Sequence, residues 1–272
     1  MECKIDNVAI YYESIGQGTP VIMLHGFSPD HRLMSGCMEP VFQKHAGYRR
    51  IYLDLPGMGK TKSADWITNS DKMLELVVKF INEIITGERF LLCGESYGGY
   101  LSRGVVHKMP NRVAGLFLLC PSIIPPPERR NVPKHIVLKG DAELVAKLDP
   151  VEAEGFTAVQ VVQSRRIWER YRDEVLAGIK IADDQFLSRL RKGYEFTFAV
   201  DREIDQYEKP TLMLLGRQDS SVGYKDAWSI LDSYPRATFA VLDRAGHNLQ
   251  LEQEELLNGL VNEWLMRVEE EL

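Results

Sequence analysis

Apolar positions along the chain switch between two spacings. From Lys4 to Gly16, "KIDNVAIYYESIG" alternates apolar and polar residues around Asp6-Asn7, which predicts a β-hairpin at a sheet edge. Strand patterns follow: the short continuous apolar run "PVIMLHG" at 20–26, then "YRRIYLDLPG" at 48–57, "RFLLCG" at 89–94, "VAGLFLLCP" at 113–121, "PTLMLLG" at 210–216 and "ATFAVLDRAG" at 237–246. The run at 20–26 predicts a strand covered on both faces and that at 89–94 a buried strand, and the others predict further strands. Helical spacing lies between them. Residues 71–85 place Met73, Leu74, Val77, Val78, Ile81, Ile84 and Ile85 on one face, with Ser70 or Asp71 as cap. "SYGGYLSRGVVHKM" reads as a helix stopped by Pro110, and "YKDAWSILDSY" as another. The final helix has an apolar face of Leu256, Leu257, Leu260, Val261, Trp264, Leu265 and Val268. The region holding His31 and His45 reads as loop-rich.

The alternation stops between residues 123 and 204. "IIPPPERRNVP" is a stiff connector, and helical patterns follow: "AELVAKL", "AVQVVQSRRIWERYRDEVLAGI" and "DDQFLSRLRKGYEFTF". The expected architecture is an α/β fold with a doubly wound, mostly parallel sheet and an inserted helical cap. Residues 1–122 and 205–272 form the core, and 123–204 form the cap over the carboxyl ends of the strands.

Composition adds a few exclusions. With 272 residues, 44% hydrophobic and 26% charged, the chain is an ordinary globular protein. A net charge of -6 gives no reason to expect nucleic acid or an anionic membrane as partner. The cysteines, Cys3, Cys37, Cys93 and Cys120, show no metal-ligand spacing, and Cys93 and Cys120 lie in apolar runs. Free thiols, no signal peptide and no membrane span point to the cytoplasm. The expected partner is a small-molecule substrate, with the chain a monomer or homodimer.

One serine carries the candidate chemistry. Gly94-Glu95-Ser96-Tyr97-Gly98 fits G-x-S-x-G between a strand and a helix, which is the nucleophile elbow. A sharp turn there strains the serine, needs glycine on both sides, and aims the next N–H groups at developing negative charge. A small residue at a tight turn can also serve packing alone. A serine needs a base. Of six histidines, His247 in "LDRAGHNLQLE" follows the last strand and can meet Ser96. His107 suits packing or capping near a helix end, and His31, His45 and His135 suit the surface. Asp219 in "LLGRQDSSVG" follows a strand one βα unit earlier and suits the acid that orients the base, although an isolated aspartate there also builds turns. Asp54 in "DLPGMG" reads as a turn-building residue. The order Ser96, Asp219, His247 is the one expected for this architecture.

With "LHGF" at 24–27, "DLPGMGKT" at 54–61, "GESYGG" at 94–99, "GRQDSSVG" at 216–223 and "AGHNLQLE" at 245–252, the sequence resembles the α/β-hydrolase superfamily, in its serine-nucleophile branch with a helical cap. These motifs span nearly the whole chain outside 123–204. The resemblance implies a triad of Ser96, Asp219 and His247, and an oxyanion hole from the backbone N–H groups of Phe27 and Tyr97. It implies that His25 organises the loop bearing Phe27. A serine nucleophile counts against the look-alike dehalogenases and epoxide hydrolases, which attack through a carboxylate. No metal or organic cofactor is called for.

The expected activity is hydrolysis of a small to medium carboxylic ester through an acyl-enzyme, as in a carboxylesterase. The alternatives are an aminopeptidase of the proline iminopeptidase type, a carbon–carbon bond hydrolase, and a ligand sensor with slow turnover. Cap aromatics Phe156, Trp168, Tyr171, Phe186, Tyr194, Phe196 and Phe198 suit either an apolar pocket wall or packing among the cap's own helices. Charges over 123–204 balance at 14 basic and 14 acidic residues, so no cationic trap for an anionic substrate is expected.

Overall fold

The computed structural model describes residues 1–203 and 206–272. Among the described residues, eight strands form one sheet in the order β1-β2-β4-β3-β5-β6-β7-β8. They are β1 (Glu2–Ile5), β2 (Val8–Ile15), β3 (Thr19–Leu24), β4 (Tyr48–Leu53), β5 (Phe90–Glu95), β6 (Val113–Leu119), β7 (Thr211–Gly216) and β8 (Ala237–Leu242). The β1–β2 hairpin turns at Asp6, whose φ is 51°, and pairs antiparallel with β4; every other pairing is parallel.

The continuous apolar runs have a direct cause. Every residue of β5, β6 and β7 is buried, because helices cover both faces of the sheet. Side chains alternate between the two faces. Leu92, Leu116 and Met213 join Leu74, Phe80 and Val105 of helices α2 (Ser70–Ile84) and α3 (Tyr97–Lys108). Cys93, Phe117 and Leu214 join α1 (His31–Phe42) and the C-terminal helix Glu254–Glu269. All four cysteines are free and buried. Among the described residues no helix is long and apolar enough to cross a membrane.

Several local expectations change. The region after His31 is a helix, not loops: Leu33, Met34, Cys37, Met38, Val41 and Phe42 form a buried face at helical spacing, with Asp30 as N-cap. Gly36 and Pro40 mask that pattern. Proline at 40 removes the N–H that would bind the Gly36 carbonyl, and Arg170 Nη2 donates to that carbonyl instead, at 3.3 Å. His31 is accordingly buried; its Nδ1 lies 2.7 Å from Asp54 Oδ1. Asn69, rather than Ser70 or Asp71, caps α2 by accepting from Lys72 N. In the last helix Leu256 points outward, half exposed.

Residues 123–203 carry short helices and no named strand. The run 158–179 is not one helix. Pro150–Val159 ends before an extended stretch at 160–163, and Ser164 caps a new helix that continues through a π-helical turn at Tyr171–Leu176. Gly178 approaches Pro29 and Asp30, Phe186 lies against Gly57, and the 161–162 backbone reaches Glu252, so this insert packs on loops at the carboxyl ends of β3, β4 and β8. The expected junction at 204–205 lies outside the described residues.

Candidate active site

Ser96 stands between the end of β5 and the start of α3, with φ 52° and ψ −111°. That conformation costs a non-glycine residue about 1–3 kcal/mol. The turn brings backbone so close that side chains cannot fit on either side. A Cβ on Gly94 would lie 2.4 Å from Gly98 O, and one on Gly98 would lie 2.2 Å from Leu24 O. Ser96 N–H donates to Leu119 O at 3.0 Å, which ties the elbow to β6.

The structure brings the three separated candidates together. His247 Nε2 lies 3.0 Å from Ser96 Oγ, and His247 Nδ1 lies 2.9 Å from Asp219 Oδ2. Asp219 is fully buried after β7, and its other oxygen accepts from the N–H groups of Ser221 and Val222 at 2.8 and 3.0 Å. Burial opposes its charge, but His247 and these N–H groups outweigh it and hold the carboxyl below its usual range. An ionised acceptor there keeps the imidazole proton on Nδ1 and leaves the Nε2 lone pair facing Ser96. Burial also disfavours the imidazolium, yet Asp219 and then Glu95 push His247 up to about 9.

The loop carrying Phe27 lies against the elbow. A Cβ on Gly26 would meet Glu95 Oε2 at 2.2 Å and Ser96 Cβ at 3.2 Å. Leu55 N–H donates to His25 Nε2 at 3.0 Å, so the other nitrogen carries the proton and donates to Gly26 O at 2.8 Å. Burial pushes this imidazole below the usual histidine range, against the pull of Asp54. Tyr97 opens α3, whose first N–H groups have no partner within the helix. Its ring packs on Phe27 at 5.4 Å, and its hydroxyl lies 2.9 Å from Ser70 Oγ. Asp54 builds the turn expected of it, accepting from the N–H groups of His31 and Lys60.

Two further carboxylates belong to the site. Glu95 is buried, with Oε1 3.4 Å from His247 Nε2. Burial pushes it up to about 7, against the pull of His247. Glu252 accepts from Gly246 N–H at 2.6 Å and from Val161 and Val162 N–H at 2.6 and 3.0 Å. It joins the His247 loop to the insert. Both sit inside motifs singled out from the sequence, but only their depth distinguishes them from surface glutamates.

Two cavities meet at Ser96 and His247. One, of about 120 Å³, is lined mainly by Phe27, Leu33, Val159, Tyr171, Val175 and Ile179. The other, of about 640 Å³, is lined in part by Tyr194, Pro125 and Val222, and also by Arg130, Arg191, Lys192, Glu128 and Glu195. The expected apolar pocket therefore describes only the smaller one. Of the insert's aromatics, Tyr171 and Tyr194 line these cavities. Phe156 and Trp168 pack on each other and on Tyr171, Phe186 is buried against Gly57, and Phe196 and Phe198 stack next to Tyr100. The other histidines lie elsewhere: His45 Nε2 meets Asn262, His135 Nε2 meets the Thr157 carbonyl, and the His107 ring stacks on Phe198.

Two groups of three donor atoms lie within 4.8 Å of one another: Cys120, Asp219 and His247, and Asp30, His31 and Asp54. In each, the carboxylates are engaged by hydrogen bonds, from His247 and backbone N–H groups in the first, and from His31, Arg32 and Lys60 in the second.

The model of the alpha/beta hydrolase family matches residues 21–259. The chain belongs to the α/β-hydrolase family. A solved relative, an alpha/beta superfamily hydrolase from Oenococcus oeni PSU-1, superposes with a TM-score of 0.88 and 32% identity over 99% of each chain. The pimeloyl-[acyl-carrier protein] methyl ester esterase of Legionella pneumophila (strain Corby) is 23% identical over 260 residues, covering 94% of this chain and 99% of its own. The 2-hydroxy-6-oxononadienedioate/2-hydroxy-6-oxononatrienedioate hydrolase 2 of Pseudomonas putida is also 23% identical, over 270 residues, covering 95% and 92%. This hydrolase thus has relatives among both esterases and hydrolases of oxo-dienedioates.

Proposed function

We propose that the chain is a serine carboxylesterase acting on small to medium esters through an acyl-enzyme. The observation that carries this reading is the hydrogen-bonded line from Asp219 through His247 to a serine held at φ 52°. His247 takes the Ser96 proton as Oγ attacks the ester carbonyl carbon. The N–H groups of Phe27 and Tyr97 hold the oxyanion. His247 then gives its proton to the leaving alcohol, and water cleaves the acyl-enzyme by the same route, releasing the acid and restoring Ser96. Asp219 steadies the imidazolium throughout.

The cavities suit such an ester. The acyl group remains on Ser96 while alcohol leaves and water enters, so it takes the small apolar cavity. The alcohol occupies the larger one. The insert acts as a cap, because it supplies Val159, Tyr171, Val175 and Ile179 to the first and Arg130, Arg191 and Tyr194 to the second.

Carbon–carbon bond hydrolysis is the second reading, favoured by the similarity to the Pseudomonas putida enzyme. A panel of p-nitrophenyl esters, aminoacyl anilides and vinylogous 1,5-diketones separates them. Ester turnover that dominates the panel supports the reading, whereas turnover confined to the diketones or the anilides contradicts it.

A further inference from the structure

The insert is neutral in sum but not at the mouth of the site. The larger cavity brings together Arg130, Arg191 and Lys192 against Glu128 and Glu195. Glu195 is already shared with Arg129, 3.5 Å away. Arg130 is held rigidly: Nε donates to Ile124 O at 2.8 Å, Nη1 to Ser221 O at 3.0 Å and Nη2 to Pro125 O at 2.7 Å. Three carbonyls fix the plane of the guanidinium but leave its full charge unmatched, and no carboxylate pairs with it among the described residues. Ser221 also donates its N–H to Asp219, so Arg130 is braced against the loop that carries the acid. Its charge is felt at the imidazole, where it opposes the imidazolium. In the lining of the same cavity, the Arg191 guanidinium lies 5.0 Å from the centre of the Phe27 ring and likewise has no carboxylate partner among the described residues.

A preorganised guanidinium without a counter-ion, lining the same cavity as a second one, is a receptor for a planar anion. Arg130 has lost its side-chain freedom to its carbonyl anchors, so the entropy of ordering it is spent before any ligand binds. We propose that the leaving alcohol of the substrate carries a carboxylate, held between Arg130 and Arg191 while the acyl group lies in the small apolar cavity. This rests on the ester reading above. Lys192 adds attraction at the entrance. The alcohol departs with its carboxylate still ionised, and the balance of the hydrolysis is unchanged.

The test compares 4-acetoxybenzoate with 4-acetoxybenzamide, which differ by one charge on the leaving group. Each kcat/KM is divided by the hydroxide-catalysed rate of the same ester. The expected ratio favours the carboxylate by roughly tenfold at low ionic strength. It falls as salt screens the rim, and it falls in Arg130→Gln and Arg191→Gln. Arg191→Gln keeps the comparison open should loss of the Arg130 anchors unfold the chain, because Arg191 rests on the Phe27 ring and makes no hydrogen bond or ion pair among the described residues. A wild-type ratio at or below one, with the benzamide ester still cleaved, overturns the anion site and leaves the ester reading standing. If phenyl hydrogen succinate gains over phenyl butyrate instead, the carboxylate belongs on the acyl side and the placement is overturned. If no ester is cleaved, the ester reading itself fails. Calorimetric titration of Ser96→Ala with 4-acetoxybenzoate then decides the anion site: binding weakened by Arg191→Gln supports it, and no binding overturns it.

Discussion

Glu95 Oε1 lies 3.4 Å from His247 Nε2, the nitrogen that also faces Ser96 Oγ. A buried carboxylate therefore sits behind the proposed base, opposite Asp219. It stabilises the imidazolium, which must lose its proton before it can accept one from Ser96. With Glu95 pushed up to about 7 and His247 up to about 9, both are protonated at acid pH, and Glu95 ionises first as the pH rises. Activity should therefore climb toward an alkaline plateau.

Glu95→Gln removes the negative charge and keeps the shape. The imidazolium loses a stabilising neighbour, so the midpoint of the rise in kcat/KM should move to lower pH. The check is a pH–rate profile of the two proteins on one neutral ester. An unmoved midpoint would show that Glu95 does not act on His247.

Asp219→Asn should keep the two backbone hydrogen bonds to Ser221 and Val222 through its amide oxygen. It loses the ionised acceptor at His247 Nδ1, so kcat should fall by about 10⁴-fold, the scale found when a triad loses its acid charge. Stopped-flow ester hydrolysis measures the fall, and circular dichroism checks that the fold survives. Near-normal turnover would assign the acid role to another carboxylate.

Much of this arrangement was legible in the sequence, for physical reasons. Strands buried on both faces must be apolar throughout, so β3 and β5 to β7 stand out. The elbow shows because backbone packing forbids a Cβ at Gly94 and Gly98. Helix α1 was hidden because two residues that normally break helices, Gly36 and Pro40, are accommodated by a distant partner, Arg170. Glu95 and Glu252 were hidden because nothing in a one-dimensional pattern separates a buried glutamate from a solvated one. The cationic rim was hidden for a related reason: a neutral sum over 82 consecutive positions says nothing about which charges the fold gathers at one mouth.

Glu252 joins the His247 loop to the insert through three N–H groups. Glu252→Ala leaves these donors unmatched and should lower stability by about 1–3 kcal/mol. It should lower kcat as well, since the His247 loop loses its brace. Urea denaturation and steady-state kinetics on the same preparation measure both. Unchanged stability and turnover would show that water replaces the carboxylate without cost.

An acyl chain in the small cavity, as proposed above, would be limited in length. At about 30 Å³ for each water-sized group, a cavity of about 120 Å³ holds roughly four heavy atoms. Across p-nitrophenyl acetate to palmitate, kcat/KM should rise up to about fourfold per methylene while each is buried, then fall beyond butyrate. A steady rise to palmitate would place the acyl chain in an open groove.

The proposed hydrolysis requires Ser96 as a covalent nucleophile. The most direct measurement is mass spectrometry of the protein after treatment with a fluorophosphonate. Phosphonylation should fall on the peptide containing Ser96, be abolished in Ser96→Ala, and slow sharply in His247→Ala. An adduct on another residue, or full ester hydrolysis by Ser96→Ala, would contradict the proposed mechanism.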